Sequence, residues 1–328
     1  MASLSRRAAL AAALAGAPPI RARAQGAEGS WPSGPIRIVV PFAPGGSTDA
    51  VARLAVPGLQ RALGVSVVVE NRGGAAGSTG TDVVAKARPD GQTFLLTFDS
   101  HAVLPALVPR LPFDLKGDLE PVTLIGGAPY VVACKPDKPF RDLAGIVAAA
   151  KASPGGVTFA TPGNGTIGHL VMTLLGSRAG VQFQHLPYRG GGPAVNDAVA
   201  GHVDMVVGSA ALVAPQVAGG TLRPIAQFGP QRLPALAQVP TAEESGYPGL
   251  QAEAWWGVFA PAKVPSAIVQ RFHEALAAAF RDETVSKQIT EGQQARLVLA
   301  GPGELGRFLD AQIDTWGRVV RENSIKAD

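Results

Sequence analysis

The chain has a single cysteine, Cys134, so no disulfide can form within it. Cys134 ends the apolar run Tyr130 to Cys134 and reads as a small core residue rather than a catalytic thiol, since no histidine or asparagine motif accompanies it. Aromatic residues make up only 6% of the 328 residues, and methionine occurs three times. No apolar run after the first residues is long enough for a transmembrane helix. There is no G-K-[ST] phosphate loop, no G-x-S-x-G nucleophile elbow and no H-x-x-x-H pair. These absences remove nucleotide hydrolysis, serine-hydrolase chemistry and a zinc site from the first rank of readings. No cofactor and no metal are expected.

Net charge is also missing once the first residues are set aside. Residues 1–24 carry Arg6, Arg7, Arg21 and Arg23, hold no acid, and enclose the apolar run Ala8 to Ala15 before a small-x-small site at Ala22-Arg23-Ala24. That is the pattern of a signal peptide cleaved near Gln25, and Arg6-Arg7 with Leu10 also fits a twin-arginine route. A periplasmic location is expected. Of 29 basic and 25 acidic residues, the rest of the chain keeps 25 of each. The basic pI therefore belongs to the leader, and a nucleic-acid partner loses its compositional support.

What is present is an alternation of β-branched runs and alanine-rich helical periods, rich in glycine and proline. The central stretch is Pro41-Phe42-Ala43-Pro44-Gly45-Gly46-Ser47-Thr48-Asp49. It follows the strand-like run Ile36 to Val40 and precedes a helical period through Val51, Leu54, Ala55 and Leu59. Strand, glycine loop and helix in that order expose backbone N–H groups at a helix start, which favours an anion. The plainer alternative is a tight turn with Ser47 or Thr48 as N-cap. The same order returns at Val157 to Ser177, with the loop Thr161 to Leu170. Gly163-Asn164-Gly165-Thr166-Ile167-Gly168 formally matches G-x-G-x-x-G, but no acid stands near Gln182 to His185, so a dinucleotide is not expected. Further strands are expected at 65–70, 93–97, 122–125, 130–134, 181–186, 203–207, 222–228 and 253–259. Amphipathic helices are expected over 265–281 and along the stripe Leu305 to Val320. His101, His169 and His185 lack metal-ligand spacing; His169 is expected to orient its loop or to pack.

Taken together, Val40 to Asp49, Glu70 to Gly77, Ser100-His101-Ala102, Gly163 to Thr166 with His169-Leu170, Pro187 to Gly190, Gly201 to Asp204, Val239-Pro240-Thr241 and Trp256-Gly257 occur in this order. The set resembles the Bug family, the periplasmic substrate-binding proteins of tripartite tricarboxylate transporters. The resemblance implies an α/β Venus flytrap, two lobes each with a mostly parallel sheet flanked by helices. Lobe 1 would be residues 25–128 and 229–328, lobe 2 residues 129–228. It also implies a monomer that is not an enzyme, binds a small organic carboxylate and delivers it to integral-membrane permease subunits.

Carried over by motif, the first-lobe anion loop is Phe42, Ala43, Gly46, Ser47 and Thr48, with Asp49 stabilising it or capping its helix. The second-lobe loop is Gly163, Asn164, Gly165 and Thr166. Tyr188 and Gly190 would line the cleft, Asp204 would brace the Tyr188 loop or face the ligand, and Ser100 would add a hydroxyl. Asp99 departs from the small hydroxyl residue the resemblance implies. Either it caps the turn beginning near Ser100, or it faces the cleft and favours a monocarboxylate with a polar or cationic far end. The alternatives to transport are an exported α/β enzyme on a similar acid and a sensor component.

Overall fold

The structure is a computed structural model that describes residues 31–108 and 110–325. The leader expected over residues 1–24 lies outside the described residues. Among those described, no helix is long and apolar enough to cross a membrane.

The chain runs β1 (Ile36–Val40), α1 (Ser47–Leu63), β2 (Val67–Asn71), α2 (Ser78–Ala85) and β3 (Thr93–Phe98). A turn of 3-10 helix, Asp99–Ala102, and a short helix α3 (Leu104–Leu107) lead to the long strand β4 (Leu119–Cys134). Next come α4 (Leu143–Ala152), β5 (Thr158–Thr161), α5 (Ile167–Ala179), β6 (Gln184–Pro187), α6 (Gly191–Ala200), β7 (Met205–Ser209), α7 (Ala210–Ala218) and β8 (Arg223–Gln227). The chain finishes with β9 (Glu253–Pro261), α8 (Ser266–Arg281), α9 (Glu283–Lys287), β10 (Arg296–Ala300) and α10 (Pro302–Glu322).

The strand order is β2-β1-β3-β9-β4-β7-β5-β6, with β10 and β8 also paired to β4. β1 is parallel to β2 and β3, and β5 is parallel to β6 and β7, as right-handed strand–helix–strand crossovers require. β9 runs against β3, and β4 runs against β9, β7 and β8, so the middle of the sheet is antiparallel. The first lobe is built around β2-β1-β3-β9 and the second around β7-β5-β6, and β4 belongs to both. Its residues Leu119 to Pro129 pair with β9, and Tyr130 to Cys134 pair with β7 and β8.

Two separate strands were expected where β4 is continuous. Gly126 and Gly127 read as a break, yet they permit a crossing. A Cβ on Gly126 would stand 2.0 Å from the Arg296 carbonyl oxygen of β10, so glycine serves close backbone approach inside the strand. β10 itself was not anticipated; its run Arg296 to Ala300 is half exposed and carries little alternation.

The core is continuous across the sheet. Phe94 of β3 stacks on Phe272 of α8 with ring centroids 3.6 Å apart, which fixes the amphipathic face of that helix on the first lobe. Cys134 is buried and free, as expected of a core residue.

Candidate functional site between the two glycine loops

The loops that follow β1, β2, β5 and β6, together with the end of α3, enclose a cavity of about 440 Å³. Its wall comes from Pro41 and Phe42, from the turn Gly74 to Gly77, from Leu107 and Val108, from Pro162 to Asn164 and from Pro187 to Arg189. Ligand sites in open α/β sheets sit at this end of the strands because helix N-termini and free loop amides converge there.

The first glycine loop starts α1 with Gly46, in extended backbone, at the N-cap position. Ser47 and Thr48 are therefore the first helical residues and neither is the cap, contrary to the plainer alternative. Asp49 holds the loop from behind. Its carboxylate accepts from the Gly45 amide at 3.1 Å, from Arg53 Nε at 3.0 Å and from Asn71 Nδ2 at 3.0 Å. Burial pushes this carboxyl up, but the bonds from Arg53, Gly45 and Asn71 together hold it below the ordinary value. Its stabilising effect is thus present above the unfolded carboxyl pKa and is lost as pH falls through the lower folded value. Asp49→Ala should cost about 2 kcal/mol, the sum expected for lost charged hydrogen bonds partly replaced by water. A drop in melting temperature of about 4 °C would register it. An unchanged melting curve would show that the loop does not need this brace.

The second glycine loop is pinned by hydroxyls. Thr166 is the N-cap residue of α5, and its Oγ1 donates to the Gly163 carbonyl at 2.9 Å. Thr161 Oγ1 bonds the same carbonyl and lies 2.7 Å from His185 Nε2. The Gly165 amide donates to His169 Nδ1 at 3.3 Å, and the two imidazoles stack with centroids 3.9 Å apart. Burial lowers His169 to about 4, and burial with His169 as neighbour lowers His185 to about 3. Both rings are neutral at neutral pH, so His169 can accept the Gly165 amide. His169 thus orients its loop, as expected.

The third loop, Pro187 to Gly190, crosses to the first lobe. The Ala43 amide donates to the Arg189 carbonyl at 2.8 Å, and Ser209 Oγ donates to Ser47 Oγ at 3.3 Å. Gly190 has φ +151°, and a Cβ there would come within 2.9 Å of the Ala43 nitrogen. A Cβ on Gly46 would stand 3.1 Å from the Gly191 nitrogen. The two lobes therefore meet backbone to backbone, in a closed arrangement.

Of the residues singled out in the sequence, Phe42, Gly163, Asn164 and Tyr188 line the cavity. Ala43, Gly46, Ser47, Gly165 and Gly190 form the seam between lobes; for Gly165 the neighbour across the seam is Leu107. Thr48, Asp49 and Thr166 are buried behind the loops. Ser100 stands one step back, where its Oγ donates to the Ala76 carbonyl at 3.0 Å and holds the turn that forms the wall. Tyr188 donates its hydroxyl to Asp197 at 2.5 Å, and burial together with that carboxylate pushes it up to about 12.

Two expectations need correction. Asp204 neither faces the cleft nor braces Tyr188. It stands at the opposite, amino end of β7, bonded to Lys138 Nζ at 2.8 Å and to the Thr158 amide and hydroxyl. Asp197 supplies the brace instead. Asp99 does not face the cleft either. It is fully buried, and its carboxyl accepts from the Tyr130 hydroxyl at 2.6 Å and from the Ile167 amide at 3.4 Å. Ile167 is the first residue of α5, so Asp99 caps a helix of the other lobe. Burial raises its pKa to about 8, against the opposing pull of Tyr130 and the Ile167 and Ser100 amides.

The sequence reading also missed the turn Gly74 to Gly77, Leu107, Val108 and Arg189 as wall residues. The turn had a signal in the glycine-rich stretch Gly73 to Gly77, and in the structure Gly74 to Gly77 all have positive φ, from 45° to 143°. Leu107 and Val108 had none, since aliphatic residues after a strand read as core.

A closed two-lobed α/β fold with a cavity at the strand ends, walled by loops from both lobes, is that of a solute-binding receptor. The family model described as tripartite tricarboxylate transporter family receptor matches residues 51–325, and the chain belongs to that family. It is 36% identical to protein BugT of Bordetella pertussis over 299 residues, which cover 90% of this chain and 91% of BugT. The structure of the periplasmic binding protein BugD superposes with a TM-score of 0.86 at 30% identity, covering 90% of this chain and all of that one. MatC of Rhodopseudomonas palustris with bound malate superposes with a TM-score of 0.84 at 30% identity, covering 88% of this chain and all of that one.

Proposed function

We propose that this receptor captures a small organic carboxylate between its lobes in the periplasm and passes it to integral-membrane permease subunits. The observation that carries this reading is the cavity itself, enclosed between the lobes and walled by the strand-end loops at Pro41-Phe42, Pro162 to Asn164 and Pro187 to Arg189. Malate in the related MatC structure supports the ligand class. Residues 1–24 act as the export leader. Residues 25–128 and 229–328 move as one lobe, and residues 129–228 as the other, on β4 and the chain following β8. The receptor acts as a monomer and performs no chemistry on its ligand. The groups at the cavity wall favour this, because no nucleophile there is paired with a base: Tyr188 is held by Asp197 and shifted upward, and outside the wall His169 takes the Gly165 amide and His185 bonds the Thr161 hydroxyl.

A thermal-shift screen of mono-, di- and tricarboxylates on the mature protein tests the reading, since a ligand that binds only the folded state raises the melting temperature. The best ligand should raise it by several degrees and should come back unchanged after long incubation. Accumulating product would make the protein an enzyme, and a screen without any carboxylate hit would remove the ligand class.

A further inference from the structure

A second cavity, of about 650 Å³, opens outside the cleft between α5 and the strands β5 and β6. It shares no residue with the wall of the interlobe cavity. Phe159, Met172, Val181 and Phe183 make it apolar, and Phe159 meets Phe183 edge to face with centroids 6.3 Å apart. His169 and His185 join the wall as a stacked pair, and the Phe159 ring lies 4.9 Å from that of His185. Among the described residues, no lysine, arginine, aspartate or glutamate stands in this wall. A charged ligand would lose its water there without meeting a countercharge.

The two imidazoles are each committed at one nitrogen. His169 Nδ1 accepts the Gly165 amide, so in the neutral ring the proton sits on Nε2. Thr161 Oγ1 gives its proton to the Gly163 carbonyl, so His185 Nε2–H donates to that oxygen and Nδ1 keeps a lone pair. Burial keeps both rings neutral at neutral pH. His169 Nε2–H and His185 Nδ1 have no partner among the described residues, and neither is sealed from the surface. A free donor and a free acceptor thus belong to neighbouring rings with centroids 3.9 Å apart, beside an aromatic wall. A carboxamide presents the matching acceptor and donor on neighbouring atoms. A carboxylate presents acceptors only and would set an oxygen against the His185 lone pair.

We propose that this cavity is a second ligand site, for a neutral aromatic carboxamide or lactam. The carbonyl accepts from His169 Nε2–H, the N–H donates to His185 Nδ1, and the ring packs against Phe159 and Phe183. The site goes beyond the carboxylate-receptor reading and does not depend on it.

The test is a nitrogen-15 resonance titration of the mature protein with benzamide, benzoate and N,N-dimethylbenzamide. Benzamide should shift the ring nitrogens of His169 and His185 at about 10 mM, an affinity ordinary for so small a ligand. It should bind about fivefold more tightly than either control, the size of one neutral hydrogen bond. His185→Phe keeps the aromatic stack and removes the acceptor. Followed at His169, it should lose the margin of benzamide over N,N-dimethylbenzamide. Thr173→Trp places a large side chain in the cavity wall from the half-buried side of α5. It should abolish the benzamide shifts at both histidines while the protein still melts cooperatively. Equal binding of the three compounds at the histidines would overturn the proposal, as would no shift at that concentration. Shifts confined to Phe42 and Tyr188 would place benzamide in the interlobe cavity and overturn it too. If Thr173→Trp does not fold, the His185→Phe comparison decides the matter alone.

Discussion

Gly46→Val should weaken ligand affinity by about 10- to 100-fold while leaving the melting temperature of the unliganded protein nearly unchanged. Position 46 has an ordinary extended backbone, so a side chain brings no φ strain. In the closed form a bare Cβ would already meet the Gly191 nitrogen at 3.1 Å, and the valine methyls reach further. Overpacking of this kind costs about 1–3 kcal/mol. The whole cost falls on the closed form, because Gly191 belongs to the other lobe. The apparent affinity then falls in proportion to the population of the form able to bind. Gly165→Val is a poorer probe. Gly165 has φ +73°, so valine there is strained in both forms, and its Cβ would also meet Leu107 at 2.3 Å. Calorimetry with parallel melting curves separates the two substitutions. A Gly46→Val protein that binds as tightly as wild type would mean that the ligand does not require this seam to close.

Asp99→Asn should make the protein more stable at pH 8 and flatten its stability profile between pH 4 and 8. The folded pKa of Asp99 is raised from 3.8 to about 8 by burial. Between those values the folded chain holds a proton that the unfolded chain releases. Stability therefore falls as pH rises through this window, with a slope that approaches about 1.4 kcal/mol per pH unit. Asparagine keeps its one oxygen for the Ile167 amide, its Nδ2 can donate to the Tyr130 hydroxyl oxygen, and it has no proton to lose. Melting temperatures of both proteins across that range should diverge steadily toward alkaline pH. Parallel curves would show that Asp99 titrates like an ordinary carboxyl and that the cap at α5 carries charge.

The strand–glycine loop–helix pattern was legible at residues 36–63 and again at 157–177 because each is local: a β-branched run, glycines, then a 3.6-residue period. The helices at 266–281 and 302–322 were legible from their apolar stripes. β4 was read as two strands because glycine within a strand signals a break when the crossing backbone of β10 is not in view. Asp99 and Asp204 were misplaced for a related reason. Asp204 stands at the amino end of its strand, away from the cleft, whereas Asp99 stands at the carboxyl end and only its side-chain direction was out of sight. The rotation that turns Asp99 into a buried cap for α5 is set by Tyr130, 31 residues away.

The sequence by itself determined the alternating strand–helix class, which follows from local periods, and its ordered loop motifs carried the resemblance that implied the family and its two-lobed fold. Tertiary structure alone decided which of those loop residues reach the cavity. It placed Phe42, Gly163, Asn164, Tyr188 and Arg189 in the wall, turned Ala43, Gly46 and Gly190 to the seam, and sent Asp204 to the far end of β7. The physical reason is that a cleft closes through contacts between residues far apart in the chain, such as Ser47 with Ser209, 162 positions apart, and Asp99 with Ile167, 68 apart. Such contacts leave no periodicity in either segment.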